Sequence, residues 1–254
     1  MGVGAAGSVS VCMATFNGEK FVRAQIESIL LQLCPDDELI IVDDCSTDGT
    51  YAIISAVSSN CVRVFQNSKN CGHVRTFARA IELSSKELIF LADQDDIWAP
   101  GRRSIMAAYL TESSSDLVTG DFICIDSSGE VINAHRRSMS GNKPEPGRYF
   151  LNIIEIIRGT SGYYGSAMGL NRRIFKTALP IPRYVEAHDI WFAIAANLTK
   201  SSLHVDRVVL HRRLHGGNLT TSGRPLWKKA YSRFILFRSI VDIFIRIFLQ
   251  KLKF

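Results

Sequence analysis

Two hydrophobic rhythms alternate along the first hundred residues. Continuous apolar runs, "SVSVCMAT", "ELIIVDD", "CVRVFQN" and "ELIFLAD", read as strands buried on both faces. Between them lie stretches with helical spacing. In "GEKFVRAQIESILLQL", Phe21, Ile26, Ile29, Leu30 and Leu33 fall on one side; "DGTYAIISAVS" and "HVRTFARAIELS" follow in the same manner. This β-α-β-α succession predicts an α/β fold with a mostly parallel central sheet flanked by helices.

The second half is less regular. The pattern predicts a helix near Arg102 to Thr111, a strand at "DLVTGDFICID", a loop around "SGNKPEPG" and a helix from Arg148 to Ile157. "GSAMGLN" reads as a strand, "HDIWFAIAANL" as a helix, and "SLHVDRVVLHRRLH" as a strand with its exit. One α/β domain over residues 1–222 is expected, followed by a distinct segment, 223–254. In that segment Arg238, Asp242, Arg246 and Gln250 recur every four residues among Ile, Phe, Val and Leu, giving a helix with a narrow polar stripe and a wide apolar face. The stretch from Ser239 to Leu249 is 11 residues with two charges, against the ~20 apolar residues of a membrane span. An in-plane helix on an anionic lipid surface is expected; packing on the domain or on a partner chain is the alternative.

Charge sharpens this division. Of the formal net charge of +6, residues 224–254 supply +7 (eight Lys/Arg, one Asp), which leaves the preceding 223 residues at −1. The basic residues therefore lie in an apolar tail and not on a stacking platform, which argues against a nucleic-acid binder. Cysteines at 12, 34, 45, 61, 71 and 124 are widely and irregularly spaced without a CxxC pair, so reduced thiols and a cytoplasmic setting are expected. The opening "MGVGAAGSVSVCMA" lacks a basic region followed by an apolar one, so no signal peptide is expected, and Ala6 stands where a myristoylation site wants Ser or Thr.

The candidate chemistry sits at the strand ends, where ligands gather in open parallel sheets. The first strand ends in Thr15 and Asn17, the second in Asp43 and Asp44, the fourth in Asp93, Asp95 and Asp96. Three carboxylates packed within "DQDD" repel one another, and a divalent cation among them would relieve that repulsion. Oxygen ligands of this kind suit Mg²⁺ or Mn²⁺, which in turn accept phosphate oxygens. Asp43 and Asp44 could accept hydrogen bonds from a base or ribose; alternatively, "DDCSTDG" is a turn leading to a helix capped by Ser46 or Thr47. Asp189 opens an apolar helix, where the dipole favours the ionised form, and could be no more than a helix-start acid.

Six segments in order resemble the family 2 glycosyltransferases with the GT-A fold, and within them a bacterial rhamnosyltransferase-like branch. They are "VCMATFNGEKFVRAQIESILLQ", "DELIIVDDCSTDGT", "NSKNCGHVRTFARAIELSSKELIFLADQDDIWAP", "GSAMGLNRRI", "HDIWF" and "RLHGGN". The resemblance implies that Thr15, Asn17, Asp43 and Asp44 hold the donor nucleotide, that Asp93 touches ribose or metal, and that Asp95 ligates the metal, with Asp96 assisting. It implies that His215 approaches the metal or diphosphate, helped by Arg213, and that Asp189 is the general base; beside it in the sequence, Glu186 is the competitor for that role and His188 reads as a positioning group. The implied activity is inverting transfer of a sugar from a dTDP- or UDP-sugar to a lipid-linked or polysaccharide acceptor, at the inner face of the membrane.

The physical requirements agree with this scheme. A leaving diphosphate needs electrostatic stabilisation, an acceptor hydroxyl needs a carboxylate to take its proton, and a single displacement inverts the anomeric carbon. Arg212, Arg75 and Arg79 are further phosphate-binding candidates, while Trp98 and Trp191 either border a sugar or pack in the core. His73 departs from the aromatic or apolar residue expected after Gly72. Two other readings share features of this chain: a metal-dependent nucleotidyltransferase or phosphohydrolase, for which "MATFNGEK" is a poor phosphate loop, and a catalytically inactive membrane-bound scaffold.

Overall fold

The computed structural model describes residues 7–132, 142–215 and 225–252. The expected 222/223 boundary lies outside these residues. Strands β1 (Val9–Thr15), β2 (Glu38–Asp43), β3 (Val62–Gln66) and β4 (Leu88–Asp93) form a parallel block in the order β3-β2-β1-β4. They are joined through helices α1 (Val22–Leu30), α2 (Thr50–Ser55) and α3 (His73–Leu83). Beyond β4 the sheet mixes directions. After β5 (Ile97–Trp98) and α4 (Arg102–Glu112) come β6 (Leu117–Ile125), α5 (Tyr149–Arg158), β7 (Met168–Asn171), α6 (Phe175–Ala178), α7 (His188–Leu198) and β8 (Ser202–Arg213). Strand β7 runs antiparallel to both β4 and β6, β8 is parallel to β6, and β5 is antiparallel to β8. A final helix, α8, spans Leu226–Lys251.

The near-continuous apolar strands are explained by two cores, one on each face of the sheet. Val9, Val11 and Met13 of β1 join Leu39, Ile41, Leu88 and Phe90 beneath α1, α2 and α4. The intervening Cys12, Ile40, Val42, Ile89 and Leu91 face α3, α5 and α7. Period-two alternation thus survives in the packing although both faces are apolar.

Register sets the level of the polar strand ends. Thr15 pairs with Asp43, and Ala14 with Asp93, so the exits of β1, β2 and β4 lie side by side at the point where strand order reverses. "GSAMGLN" is a strand only in part: Gly165–Ala167 forms a 3-10 turn before β7. Helix α2 is preceded by Gly49 without a side-chain cap, so neither Ser46 nor Thr47 caps it.

Helix α8 packs against the domain in an unusual sense. Its polar stripe faces inward: Asp242 accepts from the Tyr184 hydroxyl (2.7 Å), Arg246 donates to Asp242 and to the carbonyls of Thr177 and Pro180, and Gln250 donates to the Lys176 carbonyl. Ile235, Ser239 and Ile243 are buried beside that stripe. The outward row, Phe234, Phe237, Val241, Phe244, Ile245 and Phe248, is exposed. No helix among the described residues is long and apolar enough to cross a membrane.

Candidate functional site

The exits of β1 and β2 are locked together by their own polar groups. Asp43 accepts from Thr15 Oγ1 (3.0 Å), the Ser46 backbone N–H (2.9 Å) and Gln66 Nε2 (3.1 Å). Asp44 accepts from Asn67 Nδ2 (2.7 Å) and from the N–H groups of Cys71 and Gly72 (2.8 Å each), which join β2 to the start of α3. Both aspartates are buried, and each is saturated by neutral donors. Asn17 has positive φ (49°) and ties the two loops together, its Oδ1 accepting from the Thr47 N–H and its own N–H donating to Ser46 Oγ. Gln94 makes a reciprocal pair with the Phe16 backbone, which brings the "DQDD" loop onto this wall. A methyl group at Gly18 would meet the Gln94 amide, which would have to move from its pairing with Phe16.

The exit of β4 is built differently. Carboxylate oxygens of Asp93, Asp95 and Asp96 lie within 4.8 Å of one another. Burial and the charges of Asp96, Asp95 and Asp189 push the Asp93 carboxyl well above its usual range. Burial and the Asp95 charge raise Asp96 to about 7, against an opposing hydrogen bond from the Arg213 N–H (2.9 Å). His215 Nε2 lies 2.8 Å from Asp95 Oδ2, and Arg213 Nε donates to the Asp95 carbonyl (3.0 Å). The Phe21 ring backs both, 4.8 Å from the His215 ring and 4.9 Å from the Arg213 guanidinium. The short β5–β8 pairing, Ile97 with His211 and Trp98 with Leu210, carries the "DQDD" loop to this β8 exit. Gly216, Gly217 and Asn218, the rest of the "RLHGGN" segment, lie outside the described residues.

A buried cation missing from the sequence reading sits beneath the cluster. Arg102, fully buried, donates to the Leu91 carbonyl (3.1 Å) and stacks on Trp98 (4.6 Å). Burial lowers its pKa to about 9, and the charges of Asp96 and Asp93 oppose that fall. A sequence signal did exist: Arg102 and Arg103 open α4, where cations oppose the helix dipole and need another reason to be there. For Arg103 that reason is Asp37, reached at 2.8 Å.

On the far side of the site, Asp189 lies in the first turn of α7, accepts from the Ile190 N–H (2.8 Å) and the Gly165 N–H (3.3 Å), and is close enough to Asp93 to raise its pKa. His188 is buried against Phe77 (ring centroids 4.2 Å apart), neither ring nitrogen has a partner among the described residues, and burial lowers its pKa to about 4. It is a neutral wedge beneath Asp189; a methyl group at Gly165 would lie 2.9 Å from its Nε2. Glu186, the competing base, instead accepts from Ser232 of α8 (2.9 Å). Arg79 is engaged by the Gln66 carbonyl and Asn67, and Arg212 stacks on Tyr164 (4.8 Å) while its charge lowers Asp93. Trp98 and Trp191 are both buried in the cores, and Trp191 donates to the Ala178 carbonyl.

Three oxygen ligands with a histidine alongside fit a hard divalent cation, whose charge would offset the burial and mutual repulsion that push the Asp93 and Asp96 carboxyls upward. A second group, Asp121, His204 and Asp206, already has a cation: Lys143 reaches Asp121 at 2.8 Å and Asp206 at 2.9 Å.

Comparison with known proteins agrees with this architecture. The model of the family described as "Glycosyl transferase family 2" matches residues 10–179. The Escherichia coli protein "UDP-Glc:alpha-D-GlcNAc-diphosphoundecaprenol beta-1,3-glucosyltransferase WfgD" is 25% identical over 123 residues, which cover 48% of this chain and 49% of that protein. Matches to three curated relatives span 45%, 49% and 43% of their lengths, about half or less. Among solved structures, S. aureus TarS 1-349 in complex with UDP-GlcNAc superposes with a TM-score of 0.69 at 18% identity, over 95% of this chain and 72% of that one. The mannosyltransferase PcManGT from Pyrobaculum calidifontis, in complex with GDP-Man and Mn2+, gives 0.62 at 14% identity, over 94% and 74%. At such identities the likeness is one of fold, and that fold is GT-A.

Proposed function

This chain belongs to glycosyl transferase family 2, and we propose from that premise that it transfers a sugar, with inversion, from a nucleotide-diphosphate donor to a lipid-linked or polysaccharide acceptor in bacterial surface polysaccharide synthesis. The observation that carries the reading is the close-packed Asp93/Asp95/Asp96 cluster beside His215 and across the site from Asp189. Residues 1–222 form the catalytic unit in this reading, and residues 223–254 the appended helix.

Thr15, Asn17, Asp43 and Asp44 shape the base and ribose pocket, in which the two aspartates chiefly hold the loops. Asp93, Asp95 and His215 would hold Mg²⁺ or Mn²⁺, with Asp96 in support and Arg213 fixing the loop that carries His215. A bound cation would supply Lewis-acid stabilisation to the departing diphosphate. Asp189 takes the proton of the acceptor hydroxyl as its oxygen bonds to the anomeric carbon; the bond from that carbon to the diphosphate breaks, and the nucleoside diphosphate leaves. The neutral His188 adds no competing charge beside Asp189.

A dTDP- or UDP-sugar is the proposed donor, with rhamnose as one candidate sugar. Relatives whose names specify a diphosphoundecaprenol acceptor support a lipid-linked substrate. The outward apolar row of α8 supports a peripheral position at the inner face of the membrane.

Isothermal titration with UDP, GDP and dTDP, each with and without Mn²⁺, tests the donor site. Metal-dependent binding of one diphosphate that vanishes in Asp95→Ala is expected. Absence of all binding in the presence of metal would return the inactive scaffold to first place.

A further inference from the structure

Next to the donor site, a cleft of about 960 Å³ separates the start of α3 from the first turns of α8. Arg75, Arg183 and Lys228 line it, and its one acid, Glu186, already accepts from Ser232. Arg183 and Lys228 form no ion pair among the described residues, so the cleft carries uncompensated positive charge and suits an anion. Trp227 and Tyr231 form the opposite wall, 66% and 53% exposed. They also begin the outward apolar row that continues through Phe234, Phe237, Val241 and Phe244. From residue 231 to residue 248 that row is about 25 Å long at ~1.5 Å per residue.

The position of the cleft decides between ligands. Its wall includes Cys71 and Gly72, whose N–H groups hold Asp44, and Glu186, three residues before Asp189. His73, also in the wall, stands 5.8 Å from the His188 ring. A group bound here would lie against the residues that hold Asp44 and beside the pair of His73 and His188, the latter preceding Asp189 in α7. A molecule with an anionic head, a sugar on one side of it and a hydrocarbon chain on the other would place the head in the cleft, the sugar toward Asp189 and the chain over Trp227.

We propose that this cleft binds the phosphate or diphosphate of a lipid-linked acceptor, with its hydrocarbon chain leaving along the outward face of α8. The proposal rests on the acceptor assignment above and adds the site that holds the acceptor. The departure of His73 from the residue expected after Gly72 acquires a place here, in the wall shared by cleft and base.

Farnesyl diphosphate, a short soluble isoprenoid diphosphate, is the probe, with farnesol and inorganic diphosphate as controls. The titrations are run on the full chain in EDTA, so that no metal recruits a diphosphate to the aspartate cluster. Trp227 is the exposed tryptophan, while Trp98 and Trp191 are 2% and 1% exposed, so emission reports on the cleft. Farnesyl diphosphate should bind at least about ten-fold more tightly than either control, weaken about ten-fold or more in the double variant Arg183→Glu/Lys228→Glu, and bind unchanged to Asp95→Ala. Equal binding of inorganic diphosphate would make this a free-anion site, equal binding of farnesol an apolar groove, and either result overturns the proposal. So would undiminished binding to the double variant, or none to the native chain. Should the charge reversal fail to fold by circular dichroism, Arg183→Gln/Lys228→Gln carries the same test. Failure of the donor assignment would appear separately, as absent binding of UDP with Mn²⁺.

Discussion

Two aspartate clusters stand at the same edge of the same sheet, and they are held in opposite ways. Asp43 and Asp44 receive hydrogen bonds from Thr15, Ser46, Gln66, Asn67, Cys71 and Gly72, so their charge is met by neutral donors fixed in the fold. Asp93 and Asp96 are shifted upward by burial and, after it, by the charges of the neighbouring carboxylates. A carboxylate held by donors fixed in the fold shapes a loop; three carboxylates packed together suit a cation. Adjacent acids in a sequence therefore do not reveal which of these two jobs they do.

Asp189 belongs to neither cluster, and removing it should have the largest effect. Asp189→Asn is expected to lower the transfer rate by ~10²–10⁴-fold with nucleotide binding retained. Near-normal turnover would move the base elsewhere. Asp95→Ala should weaken Mn²⁺-dependent nucleotide binding by at least ~10–100-fold, the loss typical even of an outer-shell metal partner, while leaving the thermal midpoint of the metal-free protein near or above the native value. Asp44→Ala should do the reverse: it removes the acceptor shared by the Cys71 and Gly72 N–H groups and the Asn67 amide, of which Gly72 keeps Asn70 and Asn67 keeps Thr76, so a cost of ~1–3 kcal/mol is expected and its melting temperature should fall in the presence or absence of metal. If the two variants behaved alike in calorimetry, the contrast between the clusters would collapse.

The smallest effect is a pH dependence. Asp96 titrates at about 7 in the folded chain and at 3.8 as a model group, so the folded state holds the proton more tightly. Its contribution to stability is complete below pH ~4 and is lost as pH rises through ~7. The metal-free protein should therefore lose thermal stability across that window, Mn²⁺ should restore it above pH 7, and Asp96→Asn should flatten the profile. A profile unchanged in Asp96→Asn would show that ionisation of the buried Asp96 does not govern stability. Asp44→Ala should leave the slope intact.

Much of the site could be read in the sequence because its signals are local. Thr15, Asp43 and Asp93 each end an apolar run, and the registers of β1, β2 and β4 bring those ends side by side. Asp189 was legible as an acid at a helix start, with the role of base implied only by the family resemblance. Arg102 was not, because a cation at a helix start reads as solvated until the fold closes over it. Glu186 gave no sign that α8 would engage it. Helix α8 was legible as a striped helix, but its direction was not: one periodicity serves a stripe turned to solvent and a stripe turned inward.

By itself, the sequence determined the elements and the chemistry at their ends, because burial alternates with period two in strands and about 3.6 in helices, and side-chain type follows from that. Tertiary structure decided which ends meet. The two-residue strand β5 is too short to carry a pattern, yet its pairing with β8 sets Asp95 and Asp96 beside His215 and Arg213, across sequence separations of 120 and 117 residues. Contacts at that range are selected by the packing of the whole sheet, and no local propensity encodes them.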